Sequence, residues 1–164
     1  MRDWQRMLRS WSRRPSGRLQ ATVNAAKFDQ RPPQAQNAID IFRDRWASDL
    51  SDVVPGVVSG PARHFGSDAR PVHAMQHLAR SAGMTAPRIL ELGPLEGGHT
   101  YQLDRLGAAE IVAVESNVEA YLKCLIAKEL TGIKNARFLL GDFVEHLKQD
   151  RSLRIPVMAD RHSI

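Results

Sequence analysis

The stretch that most constrains this chain runs from Arg88 to Leu140, where short apolar runs alternate with segments of helical period. Arg-Ile-Leu-Glu-Leu-Gly, residues 88–93, reads as a strand. Pro94 to Thr100 is a glycine-containing turn, and a helix follows to about Leu106, stopped by Gly107. Glu-Ile-Val-Ala-Val-Glu, residues 110–115, is a second strand. Val118 to Leu130 carries Tyr121, Leu122, Leu125, Ile126 and Leu130 at helical spacing and ends at Thr131-Gly132. Arg137 to Leu140 is a third strand, followed by Gly141-Asp142-Phe143. Strand, helix, strand, helix, strand implies right-handed βαβ units and a parallel sheet with covered faces. The expected fold class is therefore α/β, a doubly wound parallel sheet of about three strands preceded by N-terminal helices.

Those helices are expected in residues 32–87, ahead of the α/β region at 88–164. Pro32-Pro33 opens a helix to about Leu50, with Ala35, Ala38, Ile39, Phe42 and Trp46 in period. Residues 51–66 hold two prolines and three glycines and read as an irregular connection. A second helix runs from about Pro71 to Ala82, stopped by Gly83. His73 and His77 are spaced to face one metal, but no third ligand accompanies them, so no metal site is expected.

Residues 1–31 form a basic segment that holds eight of the chain's 23 Lys/Arg and two of its 18 Asp/Glu. The rest of the chain is close to neutral, so the high isoelectric point gives no evidence for a nucleic-acid partner. Trp4, Met7, Leu8 and Trp11 lie at helical spacing among arginines, and residues 1–18 could touch a membrane surface or a partner. No apolar run approaches the ~20 residues that cross a bilayer. There is one cysteine, Cys124, which fits a reducing, cytoplasmic setting and reads as a packing residue.

In an open parallel sheet, ligands bind beyond the carboxyl ends of the strands. Gly93, Gly97 and Gly98 lie in the first turn. Glu115 ends the second strand, placed to accept hydrogen bonds from a ribose diol, and Asp142 follows the third, within reach of an adenine amino group. A dinucleotide fingerprint would need glycine where Leu95 stands, and Glu96 adds negative charge to the turn. Both disfavour a pyrophosphate, so an NAD(P)-dependent oxidoreductase is the weaker alternative. His99 and Thr100 at the helix start read as caps, with facing the ligand as the alternative.

These residues resemble the class I S-adenosylmethionine-dependent methyltransferases. The stretch Ile-Leu-Glu91-Leu-Gly93-Pro-Leu-Glu-Gly97-Gly98-His-Thr looks like their first motif. Glu115 stands where their ribose-binding acid stands, and Gly141-Asp142-Phe143 resembles their adenine-contacting segment. The resemblance covers roughly residues 88–147. It implies a Rossmann-like fold, S-adenosyl-L-methionine as cofactor and methyl transfer to an acceptor that the sequence does not identify. It also implies that Glu91 holds the amino-acid end of the cofactor with the backbone of Gly93 and Gly97 against it, that Glu115 binds the ribose, and that Asp142 binds the adenine amine. Leu95 replaces the middle glycine, so the turn must bend away from the ligand there.

A complete fold of that family has seven strands, and the chain is expected to be its N-terminal, cofactor-binding half, cut short. Arg154 to Met158 is the one candidate for a fourth strand, with Pro156 in its middle where a donor is needed. Without that strand, Arg88–Leu92 becomes an open edge for self-association. The residues that hold the acceptor would be missing, and neither His146 nor His162 is nominated as a base. The alternative is a non-enzymatic remnant or a binding module completed by a partner.

Overall fold

The computed structural model describes residues 28–149 and the backbone of 157–159. The tryptophan-bearing segment expected to be helical lies outside those residues. Residues 1–32 and 33–164 form two compact units. Of the first, the described part includes Arg31 paired with Asp29.

A four-stranded parallel sheet has the order β3-β2-β1-β4, from β1 (Arg88–Leu92), β2 (Glu110–Glu115), β3 (Ala136–Leu140) and β4 (Val157–Ala159). Among the described residues, five α-helices lie before or between them. They are α1 (Ala35–Ile39), α2 (Arg70–Ala82), α3 (Gly98–Arg105), α4 (Val118–Thr131) and α5 (Phe143–Gln149), which follows β3. The first three strands and their helices fall where the sequence places them. The fourth strand does not. Its described residues are Val157–Ala159, and Leu90, Glu91 and Leu92 pair with them. The β1 edge expected to lie open for self-association is covered over those residues.

Strand side chains alternate between two faces. Ile89, Ile111, Ala113, Ala136 and Phe138 meet Leu103 of α3 and Cys124 of α4 in one cluster. Leu90, Leu92 and Val114 form a second on the opposite face, against which Phe143 of α5 packs. Helices thus cover both faces, as the doubly wound reading requires. Leu103 and Ile111 are 0% exposed, and each such side chain adds roughly 1.5–3 kcal/mol.

The lead-in region departs from the expected long helix to Leu50. α1 tightens into a 3₁₀ turn at Asp40–Phe42, Arg43 is extended, and Asp44 is left-handed at φ 61°. Side chains and tertiary ties outcompete helix propensity here. The Trp46 indole N–H donates to the Ile39 carbonyl at 2.9 Å, and the N–H groups of Ala47 and Ser48 donate to Glu96 forty-eight or more residues on. The segment expected to be a mere connection also supplies Val54, Val57 and Phe65 to a third cluster with Ile39, Phe42, Trp46, Leu50 and Ala127. The lead-in region and the βαβ units therefore share a core.

Candidate functional site

The turn from β1 to α3 is built by glycine conformations and carboxylates. Gly93 and Gly97 are left-handed at φ 68° and 83°, and so is Leu95 at 57°. A β-carbon makes that conformation costly, by roughly 1–2 kcal/mol. Two groups hold Leu95 there. Its N–H donates to Glu115 Oε2 at 3.1 Å, and the Cys124 thiol approaches its carbonyl at 3.4 Å.

Glu115, at the end of β2, is 6% exposed, and its other oxygen accepts the Asn117 N–H at 2.8 Å. Asn117 in turn caps α4 by accepting the Ala120 N–H at 3.0 Å. Glu91 is 2% exposed beneath α3, where the Thr100 hydroxyl donates to it at 2.5 Å. Asp142, after β3, is exposed and caps α5, with Oδ1 accepting the Val144 N–H at 2.7 Å. That leaves its second oxygen for another donor.

Glu91, Gly93, Glu115 and Asp142 thus stand at the carboxyl ends of β1, β2 and β3, on one end of the sheet. Gly97 plays a different part. A β-carbon there would lie 3.4 Å from Phe138 and 3.8 Å from the Cys124 sulfur, so that side of the residue faces the core. Gly98 permits a close approach instead, since a β-carbon would come within 3.0 Å of His64 backbone. His99 and Thr100 do not cap α3, whose N-cap Gly97 makes no side-chain cap bond. Thr100 is drawn to Glu91, and His99 Nε2 sits 2.9 Å from Asp68. Buried side-chain partners thus outcompete the local cap.

Glu96 is the residue whose role the sequence concealed. It does not present its charge to a ligand. It is 2% exposed, accepts the Ala47 and Ser48 N–H groups at 2.9 and 2.7 Å, and pairs with Lys123 at 3.0 Å. Lys123 also meets Glu119 and the Arg45 carbonyl, and it lies over the Phe42 and Trp46 rings. A Glu two residues before a helix start carries no local sign of such a distant partner.

The electrostatics of the turn are negative. Burial pushes the Cys124 thiol well above its usual range, and the carboxylates of Glu91, Glu115 and Glu96 push it further. Close by, the Arg70 guanidinium, with help from His99, holds the Asp68 carboxyl far below the ordinary range. Three backbone donors of the turn are engaged within the protein. The N–H of Gly93 is bonded to the Val114 carbonyl at 2.9 Å, and that of Gly97 to the Pro94 carbonyl at 2.9 Å. With Leu95 committed to Glu115, three N–H groups that could cradle a phosphate are already occupied.

Comparison with known proteins finds no matching family model and no matching curated sequence. Solved structures do match. The N-terminal domain of EvdMO1 with SAH bound is 24% identical at a TM-score of 0.50, over 66% of this chain and 44% of that one. WbdD in complex with the kinase inhibitor LY294002 is 16% identical at a TM-score of 0.53, over 74% of this chain and 27% of that one. The fold is that of the class I S-adenosylmethionine-dependent methyltransferases. An O-methyltransferase from Bacillus cereus in complex with SAH also matches, 15% identical at a TM-score of 0.48, over 79% of this chain and 55% of that one. The chain spans 44%, 27% and 55% of the length of these three solved proteins.

Among the described residues, no group of three or more His, Cys, Asp or Glu is arranged to hold a metal ion, and no helix is long and apolar enough to cross a membrane.

Proposed function

We propose that this chain binds S-adenosyl-L-methionine across the carboxyl ends of β1, β2 and β3, and that it forms the cofactor-binding part of a methyltransferase. The observation that carries this reading is the donor and acceptor balance of the turn. The N–H groups of Gly93, Leu95 and Gly97 are engaged, while Glu91 and Glu115 are buried beside them at 2% and 6% exposure. A pyrophosphate lying on the glycine turn would meet these carboxylates where those three donors are already engaged. A ligand carrying an ammonium and a sulfonium meets the reverse, and a low-dielectric site strengthens that preference. The same balance stands against the nicotinamide-cofactor alternative.

In this reading Glu115 accepts the ribose hydroxyls on lone pairs its two backbone donors leave over. Asp142 accepts the adenine amine on the oxygen not used to cap α5. Glu91, fixed by Thr100, orients the amino-acid end past Gly93. Gly97 serves the turn through its left-handed geometry, and its β-carbon side packs on the core. The bound cofactor would supply an electrophilic methyl group for direct displacement, and the protein's task is alignment. The acceptor and any base lie outside what these residues specify.

The test is a calorimetric titration with S-adenosylhomocysteine of the wild type, Glu115→Gln and Asp142→Asn. The reading expects saturable binding, weakened about tenfold or more by Glu115→Gln and less by Asp142→Asn, because the latter residue is exposed. A folded wild type that takes up no S-adenosylhomocysteine would leave the alternative, a non-enzymatic module that keeps the fold without the cofactor. Methyl transfer from labelled cofactor to any acceptor would exclude that alternative.

A further inference from the structure

We propose that Leu95 determines which ligands this site admits, and that Glu115 is the positioning residue that holds it. The inference rests on the reading of the site as one for S-adenosylmethionine and deepens it. Leu95 is left-handed at φ 57°, a conformation that glycine adopts freely and a leucine adopts only when held. The hold comes from two sides. Glu115, at the end of β2, takes its N–H, and Cys124, on α4, meets its carbonyl. The N–H and the carbonyl of Leu95 are therefore both committed to the protein.

Two consequences follow for ligands. A glycine at this place could present its N–H to an anion lying on the turn, as a phosphate-binding turn does. The pinned leucine cannot, and the flanking N–H groups of Gly93 and Gly97 are bonded to Val114 and Pro94. The leucine also sets a half-buried isobutyl group in a turn whose other residues, from Gly93 to Gly98, are buried. Apolar surface beside carboxylates suits the methylenes and the charged amine of a nucleoside thioether. It opposes a nucleoside diphosphate. Glu115 acts twice in this account, on the ribose directly and on the turn through Leu95, so ligand choice and turn shape are coupled through one carboxylate.

The experiment compares wild type with Leu95→Gly, using S-adenosylhomocysteine and ADP-ribose as probes in calorimetry. Both ligands carry adenosine, so their ratio isolates the turn. The ratio of affinities, S-adenosylhomocysteine over ADP-ribose, is expected to fall at least about tenfold in Leu95→Gly. An unchanged ratio in a cooperatively folded variant overturns the proposal. If the wild type binds neither probe, the methyltransferase reading fails on its own. Leu95→Gly must then gain ADP-ribose binding for the present inference to survive, and a variant that gains none overturns it too.

The hold itself is read by thermal unfolding without ligand. Glu115→Ala is expected to lower the midpoint by several degrees in the Leu95 background and by half as much or less in Leu95→Gly, where the left-handed residue needs no anchor. Equal losses in the two backgrounds contradict the role given to Glu115.

Discussion

Replacing Glu96 by alanine should destabilise the fold strongly, although the residue sits in a turn that sequence alone assigns to ligand binding. Two effects sum. The Ser48 N–H donates to Glu96 at 2.7 Å and the residue is 1% exposed, so its donor would be left buried and unpaired. That costs roughly 2 kcal/mol. Lys123, whose side chain is 7% exposed, would lose one of its two carboxylates but keep Glu119 at 3.1 Å. The loss should fall below the 3–5 kcal/mol of a wholly broken buried pair, at about 2 kcal/mol. The Ala47 N–H, on an exposed residue, can turn to water and adds little. The total of about 4 kcal/mol is a large fraction of a domain's stability and corresponds to a fall of about 12 °C in the melting midpoint. Thermal unfolding followed by circular dichroism reads this directly. Glu96→Gln keeps one acceptor oxygen and should lie between alanine and wild type. If Glu96→Ala melts within about 3 °C of wild type, the lead-in segment is not held to the turn in the way described.

Other expectations are independent of that one. Gly98→Ala should lower stability by roughly 1–3 kcal/mol, because its β-carbon would meet His64 backbone that cannot swing aside; denaturant unfolding checks this. Cys124 should resist thiol reagents at neutral pH and be labelled at the unfolding rate, since burial and three carboxylates suppress its thiolate; fast labelling of folded protein would contradict its place in the core. Asp68 has its carboxyl lowered from 3.8 by Arg70 and then His99. Its stabilisation is thus complete above the unfolded value and fades as pH falls below about 4. Asp68→Asn should flatten the acid limb of a stability-versus-pH curve. Asp142→Ala should cost about 1 kcal/mol through the lost α5 cap, measurable as a small drop in midpoint.

The sheet is legible because β1 and β2 are buried over most of their length and all three strands read as apolar runs, bounded by glycines at 93, 107, 132 and 141. The ends of β1, β2 and β3 could be placed within a residue or so, which is why Glu91, Glu115 and Asp142 emerge at one end of the sheet. What escaped was set by distant partners. Trp46 and Leu50 keep a helical period, yet they are buried in an irregular segment that Glu96 and Ile39 pull out of helix. Pro156 argues against a strand over residues 154–158, and the described strand is Val157–Ala159. Leu95 was visible as a departure from the usual glycine pattern, but its left-handed backbone and its anchors on β2 and α4 depend on tertiary geometry. Asn117 could have been found, because an Asn just before an apolar helical run is an ordinary N-cap signal.

The central claim is that an adenosine ligand with an amino-acid end lies across the carboxyl ends of β1, β2 and β3. An amide-resolved NMR titration of the whole chain with S-adenosylhomocysteine tests it most directly. The account predicts saturable shifts concentrated at Gly93 to Gly97, Glu115 to Asn117 and Gly141 to Asp142, with α2 residues such as His73 and His77 unmoved. Saturable shifts confined to another face, or none in a folded chain at millimolar ligand, would contradict it.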